Sequence, residues 1–363
     1  MLAVQDKFRQ AMERAPIQFL WRHYEEHLER ARTALARFLG ARRRDLVFAT
    51  NATAAVNAVV RSLPLRPGDE VLTTSHNYNA CHNVLREACL KARARLIVAR
   101  VPFPLTGEEV ILEAILKAVS RRTRLAMIDH ATSHTALIFP ITRIVAELER
   151  RGIDTLVDGA HAPGMLPLNL AKIQPAYYAG NLHKWVGAPK GAGFLWARAD
   201  KQRALQPAVI SHGNNTTRPG FTPFQDRFDW GGTFDPTAWF CVPDALEWMG
   251  TLLPGGWTEL RQRNHKLVVA SRRRICAALQ VEPPCPESLL GSMATIPLPA
   301  RFQGRPKEGK IEREQRRLYD RFGIELPWVR LGPQGKRHVR ISAQIYNTPA
   351  QYDYLTAALL KLK

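Results

Sequence analysis

No apolar run in the sequence approaches the roughly 18 to 20 residues that cross a bilayer as a helix. The opening residues, MLAVQDKFRQAMERAP, are amphipathic and charged, without the apolar centre of a secretion signal. Both absences point to a cytoplasmic protein with no membrane partner. Cysteine is scarce and unpatterned: Cys81, Cys89, Cys241, Cys276 and Cys285 form an odd, dispersed set with no C-x-x-C pair. A disulfide framework and a zinc site are therefore not expected, and no other metal site is indicated; free buried thiols are. Repeats and low-complexity segments are absent too.

Negative charge is in short supply. Asp and Glu number 32 against 52 Lys and Arg, a formal net charge of +20, with runs at Arg42-Arg43-Arg44, Arg121-Arg122 and Arg272-Arg273-Arg274. Such a surface attracts nucleic acid or small anions. No helix-turn-helix, RNP or zinc-finger pattern accompanies it, so it reads as a solvated basic surface and nucleic acid is not an expected partner.

What remains is an ordinary globular composition, 45% hydrophobic over 363 residues, enough for a large domain and a smaller one. Strand signals at 45–49, 70–74, 95–101, 125–129, 155–158, 176–179 and 194–197 alternate with helical spacing at 23–39, 52–62, from 79, 106–119 and 141–151. Short apolar strands separated by helices predict a mainly parallel sheet covered on both faces. After Leu253-Pro254-Gly255-Gly256 the character changes to a long helix (257–279), strands near 292–298 and 338–344, and a last helix, 350–362, opened by Thr348-Pro349. The expected division is a large α/β domain, 1–253, and a small α+β domain, 254–363, with the N-terminal helix free to pack on the latter.

In a parallel sheet, chemistry collects where strands end and helices begin. Three segments put polar groups there. Thr50-Asn51-Ala52-Thr53 turns from a strand into a helix, where backbone N–H groups and the Thr53 hydroxyl suit a phosphate or form a plain N-cap. Asp158 ends an apolar strand in LVDGAHAPG, where a carboxylate needs a partner; Gly159-Ala160 would let a flat group approach. Lys184, in GNLHKWVGAPKGAGFL, ends the next strand. A lysine in a partly desolvated site has a lowered pKa and becomes a nucleophilic amine. An amine for an aldehyde, a carboxylate for a pyridine nitrogen and a cradle for a phosphate together describe a pyridoxal phosphate site.

On these residues the chain resembles the class V aminotransferase family of fold-type I PLP-dependent enzymes, which also holds the cysteine desulfurases. It is most similar to the isopenicillin N epimerase-like branch. FATNATAAVNAVVRSL, PGDEVLTTSHNYNA, MIDHATSHTALIFPI, LVDGAHAPGMLPLNL, the Lys184 stretch, SHG followed by FDWGGTFDPTAWF, and VRISAQIYNT carry the resemblance. It implies a large domain with a seven-stranded-type, mainly parallel sheet and a small C-terminal α+β domain. It implies that Lys184 joins the cofactor's aldehyde, Asp158 pairs with the pyridinium nitrogen, and His161 lies by the phenolic oxygen. Ala160 would support one face of the ring and Tyr78 stack on the other. Ala52, Thr53, Asn181 and His183 would hold the phosphate. Thr233 would reach the phosphate of a neighbouring subunit in a homodimer with sites at the interface, and Arg340 would clamp the carboxylate of an amino-acid-like substrate. Trp185 reads as packing. His134 stands where the family often has proline.

The reaction implied begins with proton removal from Cα by Lys184. Epimerisation, β-elimination and transamination all start there, and the residues do not choose among them. Desulfurases of this family carry a nucleophilic cysteine on a loop before the arginine strand; residues 327–338 contain none. The expected activity is epimerase-like chemistry at Cα of an amino acid or small peptide. The alternative is a C–S lyase, desulfurase-like enzyme or aminotransferase on the same scaffold. The branch also has an N-terminal Asn-x-Gly-like loop over the substrate, and this sequence starts near the helix expected to follow it.

Overall fold

The computed structural model describes residues 1–303, 313–332 and 334–362. Seven strands form one sheet: β1 (Leu46–Ala49), β2 (Glu70–Thr74), β3 (Arg95–Ala99), β4 (Thr123–Asp129), β5 (Asp154–Gly159), β6 (Tyr177–Asn181) and β7 (Gly193–Ala197). Their order is β1-β7-β6-β5-β4-β2-β3. Strands β3, β2, β4, β5 and β6 pair in parallel, and β7 runs antiparallel to both of its neighbours. This is the mainly parallel sheet that the alternation predicted, with the seven strands that the resemblance implied. The central strands β2, β4, β5 and β6 are almost continuously buried, because helices cover both faces.

A second sheet, β8 (Met293–Pro297), β9 (Trp328–Leu331) and β10 (Lys336–Ser342), is antiparallel in the order β8-β10-β9. Helix Gly256–Leu279 packs on it and on helix Pro349–Lys361. The sequence reading missed β9: Trp328-Val329-Arg330-Leu331 is short, follows a proline and carries an arginine. It also missed the short helices Pro223–Asp229 and Thr237–Phe240. The loop between β9 and β10, part of the cysteine-free stretch 327–338, includes Pro333, which lies outside the described residues.

The N-terminal helix, Leu2–Arg14, lies against Thr237–Phe240 rather than on the smaller sheet: Gln5 Nε2 donates to Thr237 Oγ1 at 3.1 Å, Arg9 pairs with Asp235 at 2.8 Å, and Phe8 meets Phe240 edge-on. Helix Tyr24–Leu39 carries Arg32, which is fully buried. Its guanidinium donates to Leu46 O at 2.6 Å and pairs with Asp229 at 2.8 Å; Arg218 pairs with the same carboxylate at 2.7 Å. Removing one partner of a buried pair leaves an uncompensated charge. Arg32→Ala is therefore expected to destabilise the protein by about 3 kcal/mol in urea unfolding, with Arg218 limiting the loss.

Candidate active site

The sheet register builds the site. Asp129 at the end of β4, Asp158 in β5 and Ala179 in β6 are aligned across adjacent strands. The carboxyl ends of these parallel strands therefore open on one side, and the chain after β6 places Lys184 there. The result is a cavity of about 180 Å³ whose wall includes Asp158, Ala160, His161, Lys184, Tyr78 and Ser133. Ala52, Thr53, Asn181 and His183 complete it on the side of the helix Ala52–Arg61. The structure thus brings together every residue expected at the cofactor except Thr233.

The cradle is pre-built. Asn51 caps the helix, accepting from Ala54 N–H at 2.9 Å, and Asn181 Oδ1 accepts from Ala52 N–H at 2.8 Å. Ala52 N–H, expected to hold an anion directly, is instead taken up by Asn181 Oδ1. That leaves the Thr53 N–H and hydroxyl, the Asn181 amide nitrogen and one nitrogen of His183 for a ligand, the other His183 nitrogen lying 3.0 Å from Ala192 O. Gly193 makes the cradle possible: a side chain on it would meet the Asn51 backbone at 2.6 Å.

Gly159 has a different reason from the one the sequence suggested. A Cβ there would stand 2.1 Å from the Tyr178 ring. The space is filled by Tyr178, whose hydroxyl lies 2.9 Å from His130 Nδ1, so the glycine admits a side chain of the core rather than a ligand.

Asp158 is buried. Its Oδ1 accepts from Ala160 N–H at 2.9 Å and its Oδ2 from the Cys81 thiol at 3.3 Å. Among the described residues no cation lies within ion-pair distance of it. Burial raises its pKa, against the pull of those two donors and of Lys184. Asp129 beside it is raised as well, by burial and by the charge of Asp158, so the two carboxyls resist ionising together. Sequence reading missed Asp129 and Cys81. Asp129 accepts from Asn77 Nδ2 at 3.1 Å and from the Tyr78 backbone, which anchors the turn carrying Tyr78. An acid ending a second apolar strand in MID was the available signal.

Lys184 stands in the open cavity, so much of its surface is exposed, yet its surroundings disfavour charge. Burial lowers its pKa first, Asp158 pulls it back up, and Arg340 lowers it again. Its Nζ lies 3.1 Å from His161 Nε2. His161 is buried and held neutral by burial, with Lys184 and Arg340 adding to the effect. Arg340, on β10, crosses from the smaller sheet: its Nη1 donates to Ser133 O at 2.6 Å. Its Nε is buried without a partner, but Arg340 lines a neighbouring hollow with Ile324, Leu326 and Tyr352 rather than the cavity that holds Lys184, which it reaches through Ser133. His134 contributes its backbone oxygen to Thr295 Oγ1 at 2.8 Å, which ties the loop to β8. Thr233 is exposed and lines a separate surface hollow with Trp21, Tyr24 and Arg218.

These groups fit pyridoxal phosphate. A buried carboxylate without a cation matches a protonated ring nitrogen, an amine disfavoured as ammonium matches an aldehyde, and a helix N-terminus with a free hydroxyl matches a phosphate.

Comparison with known proteins agrees with the geometry. The signature described as Aminotransferase class-V matches residues 11–297. The chain is 35% identical to the isopenicillin N epimerase of Amycolatopsis lactamdurans, over 98% of this chain and 89% of that protein. It is 34% identical to the isopenicillin N epimerase of Streptomyces clavuligerus, over 97% and 88%. A probable chloroplastic L-cysteine desulfhydrase of Arabidopsis thaliana is 28% identical, over 99% and 79%. Among solved structures, a cystine C–S lyase in complex with cysteine persulfide superposes with a TM-score of 0.81, at 18% identity over 99% of this chain and 93% of that one. The fold is thus shared with that lyase.

Proposed function

The chain belongs to the class V aminotransferase family, and from that premise we propose that it is a pyridoxal-phosphate-dependent enzyme acting at Cα of an amino acid or small peptide, with isopenicillin N epimerase-like chemistry. The observation that carries this reading is the convergence of Lys184 Nζ and the Asp158 carboxylate on one cavity beside a helix N-terminus. Bound there, the cofactor supplies an electron sink that makes a Cα–H bond acidic.

The residues divide the remaining work. Thr53, Asn181 and His183 hold the phosphate. Asp158 keeps a proton on the ring nitrogen. Ala160 and Tyr78 bound the ring's two faces. Arg340 orients the substrate through its carboxylate, and Lys184, freed as an amine, takes the Cα proton. Identity of 34–35% to two epimerases, against 28% to the desulfhydrase, favours epimerisation. A route through a protein persulfide lacks a thiol: all five cysteines are buried, and burial pushes Cys276 up to about 11. A lyase that needs no thiol is the second reading, favoured by the fold it shares with the C–S lyase.

The test is to add pyridoxal phosphate to cofactor-free protein and then a panel of amino acids and small peptides in deuterated water. A visible absorbance band, deuterium at Cα and mixed chirality support the epimerase. Keto acid with sulfide supports the lyase, and absence of the band ends both readings.

The exposed Thr233, outside the cavity of its own chain, supports a homodimer in which it serves the partner's phosphate. Five buried, unpaired thiols support a reducing, cytoplasmic location.

Lys184 also sets a pH dependence. Only the neutral amine attacks an aldehyde, so the rate of colour formation rises with pH and levels off above the amine's pKa. Because that pKa is lowered, the midpoint is expected below that of a free lysine side chain, as measured by stopped-flow absorbance.

A further inference from the structure

Trp185 decides a proton count that the rest of the site leaves open. Its Nε1–H donates to His161 Nδ1 at 3.3 Å, and His161 Nε2 lies 3.1 Å from Lys184 Nζ. An indole nitrogen donates only. Nδ1 must therefore carry a lone pair, which excludes both the imidazolium and the Nδ1–H tautomer. The one remaining form of His161 has its proton on Nε2, directed at Lys184. An ammonium has no acceptor for that proton, whereas a neutral amine does.

We propose that Trp185 is a positioning residue: it fixes His161 as the Nε2–H tautomer, so that His161 donates to Lys184 Nζ and holds that amine uncharged. The tautomer is independent of the function proposed above; its value for capturing an aldehyde rests on that reading. Once Lys184 is joined to the cofactor, the same N–H is free for an oxygen acceptor.

The surroundings agree. Trp185 is buried among Ala131, Ala136, Met165 and Met293, which hold the ring, and Gln344 Nε2 donates to its backbone oxygen at 3.3 Å, which holds the main chain. The charged and titratable groups facing the pair are Asp158 from β5, Cys81 from helix Asn79–Ala92 and Arg340 from β10. None of them donates to Nδ1. The sequence reading took Trp185 as packing; packing alone does not require an N–H aimed at an imidazole.

Trp185→Phe keeps an aromatic ring and removes the donor. In cofactor-free wild-type protein with ¹⁵N-labelled histidines, NMR is expected to show His161 protonated at Nε2 alone through neutral pH. In the variant, the Nδ1–H tautomer is expected to appear, its Nε2 now accepting from Lys184, and the midpoint for colour formation with pyridoxal phosphate to rise by about one pH unit, the size of one lost hydrogen bond. A wild-type His161 protonated at Nδ1 overturns the proposal, and so does a variant with unchanged tautomer and midpoint. Should the variant not fold, the wild-type spectrum alone decides. A wild-type protein that gives no colour refutes the proposed function and leaves the tautomer to stand or fall on its NMR signals.

Discussion

Lys184→Ala is expected to give a folded protein that stays colourless with pyridoxal phosphate and loses at least about 10⁴-fold in kcat, the upper range for a positioned general base. Two separate roles are lost together. Among the described residues the amine is the only group on the cavity wall that can capture an aldehyde, and it is also the base placed to remove a proton from Cα. Affinity for the cofactor should survive in part, because Thr53, Asn181 and His183 remain on the wall. Equilibrium dialysis with absorbance separates the two: the variant binds pyridoxal phosphate non-covalently and shows the spectrum of the free aldehyde. Stability should move the other way. Burial lowers the folded-state pKa of Lys184, so the folded state penalises its ammonium relative to the unfolded chain. That penalty is absent above the unfolded pKa, grows as pH falls toward the folded value and is constant below it. At neutral pH the cofactor-free variant should therefore melt no lower than wild type. A variant that keeps the visible band would show that another amine carries the cofactor.

The cofactor face of this site was legible because its residues sit at fixed landmarks. Asp158 ends a strand, Lys184 follows the next one, and Thr53 opens a helix; parallel alternation places all three on the same edge of the sheet. The interlocking of those residues was not legible. That Ala52 N–H goes to Asn181, that Gly159 makes room for Tyr178, and that Cys81 donates to Asp158 are contacts between residues 19 to 129 positions apart, and no local pattern encodes them. Asp129 escaped for another reason. A single acid at a strand end looks like a cap until the register sets it beside a second one. The short strand β9 and the helix Thr237–Phe240 are too brief for their periodicity to stand out from a loop, and only tertiary packing makes them regular. Trp185 is the sharpest case. Its burial was readable from its neighbours, but the direction of its N–H was not.

Asp158→Asn is expected to lower kcat by at least about 10²- to 10³-fold while leaving the visible band in place, because it removes the charge and keeps the shape. The size follows from losing one preorganised electrostatic group in a water-poor site. A carboxylate holds the ring nitrogen protonated by charge; an amide does not, and the sink for electrons from Cα weakens. Lys184 itself is unaltered, so the visible band should persist. Stability again runs opposite to activity. Asp158 and Asp129 share a buried corner, and burial raises both. A carboxyl whose folded pKa exceeds its unfolded one loses stability as pH rises through that interval, so the wild-type apoprotein carries this cost for two carboxyls at neutral pH, and the asparagine variant for Asp129 alone, relieved of the charge of Asp158. The variant apoprotein should therefore unfold at higher urea than wild type near neutral pH, with the difference vanishing in acid, where both carboxyls are protonated in wild type. Pyridoxal phosphate should narrow the gap, since a protonated ring nitrogen returns to Asp158 the cation that the apoprotein lacks. An asparagine variant with full activity, or an apoprotein destabilised at neutral pH, would mean that Asp158 serves the fold and that the electron sink is held by another group.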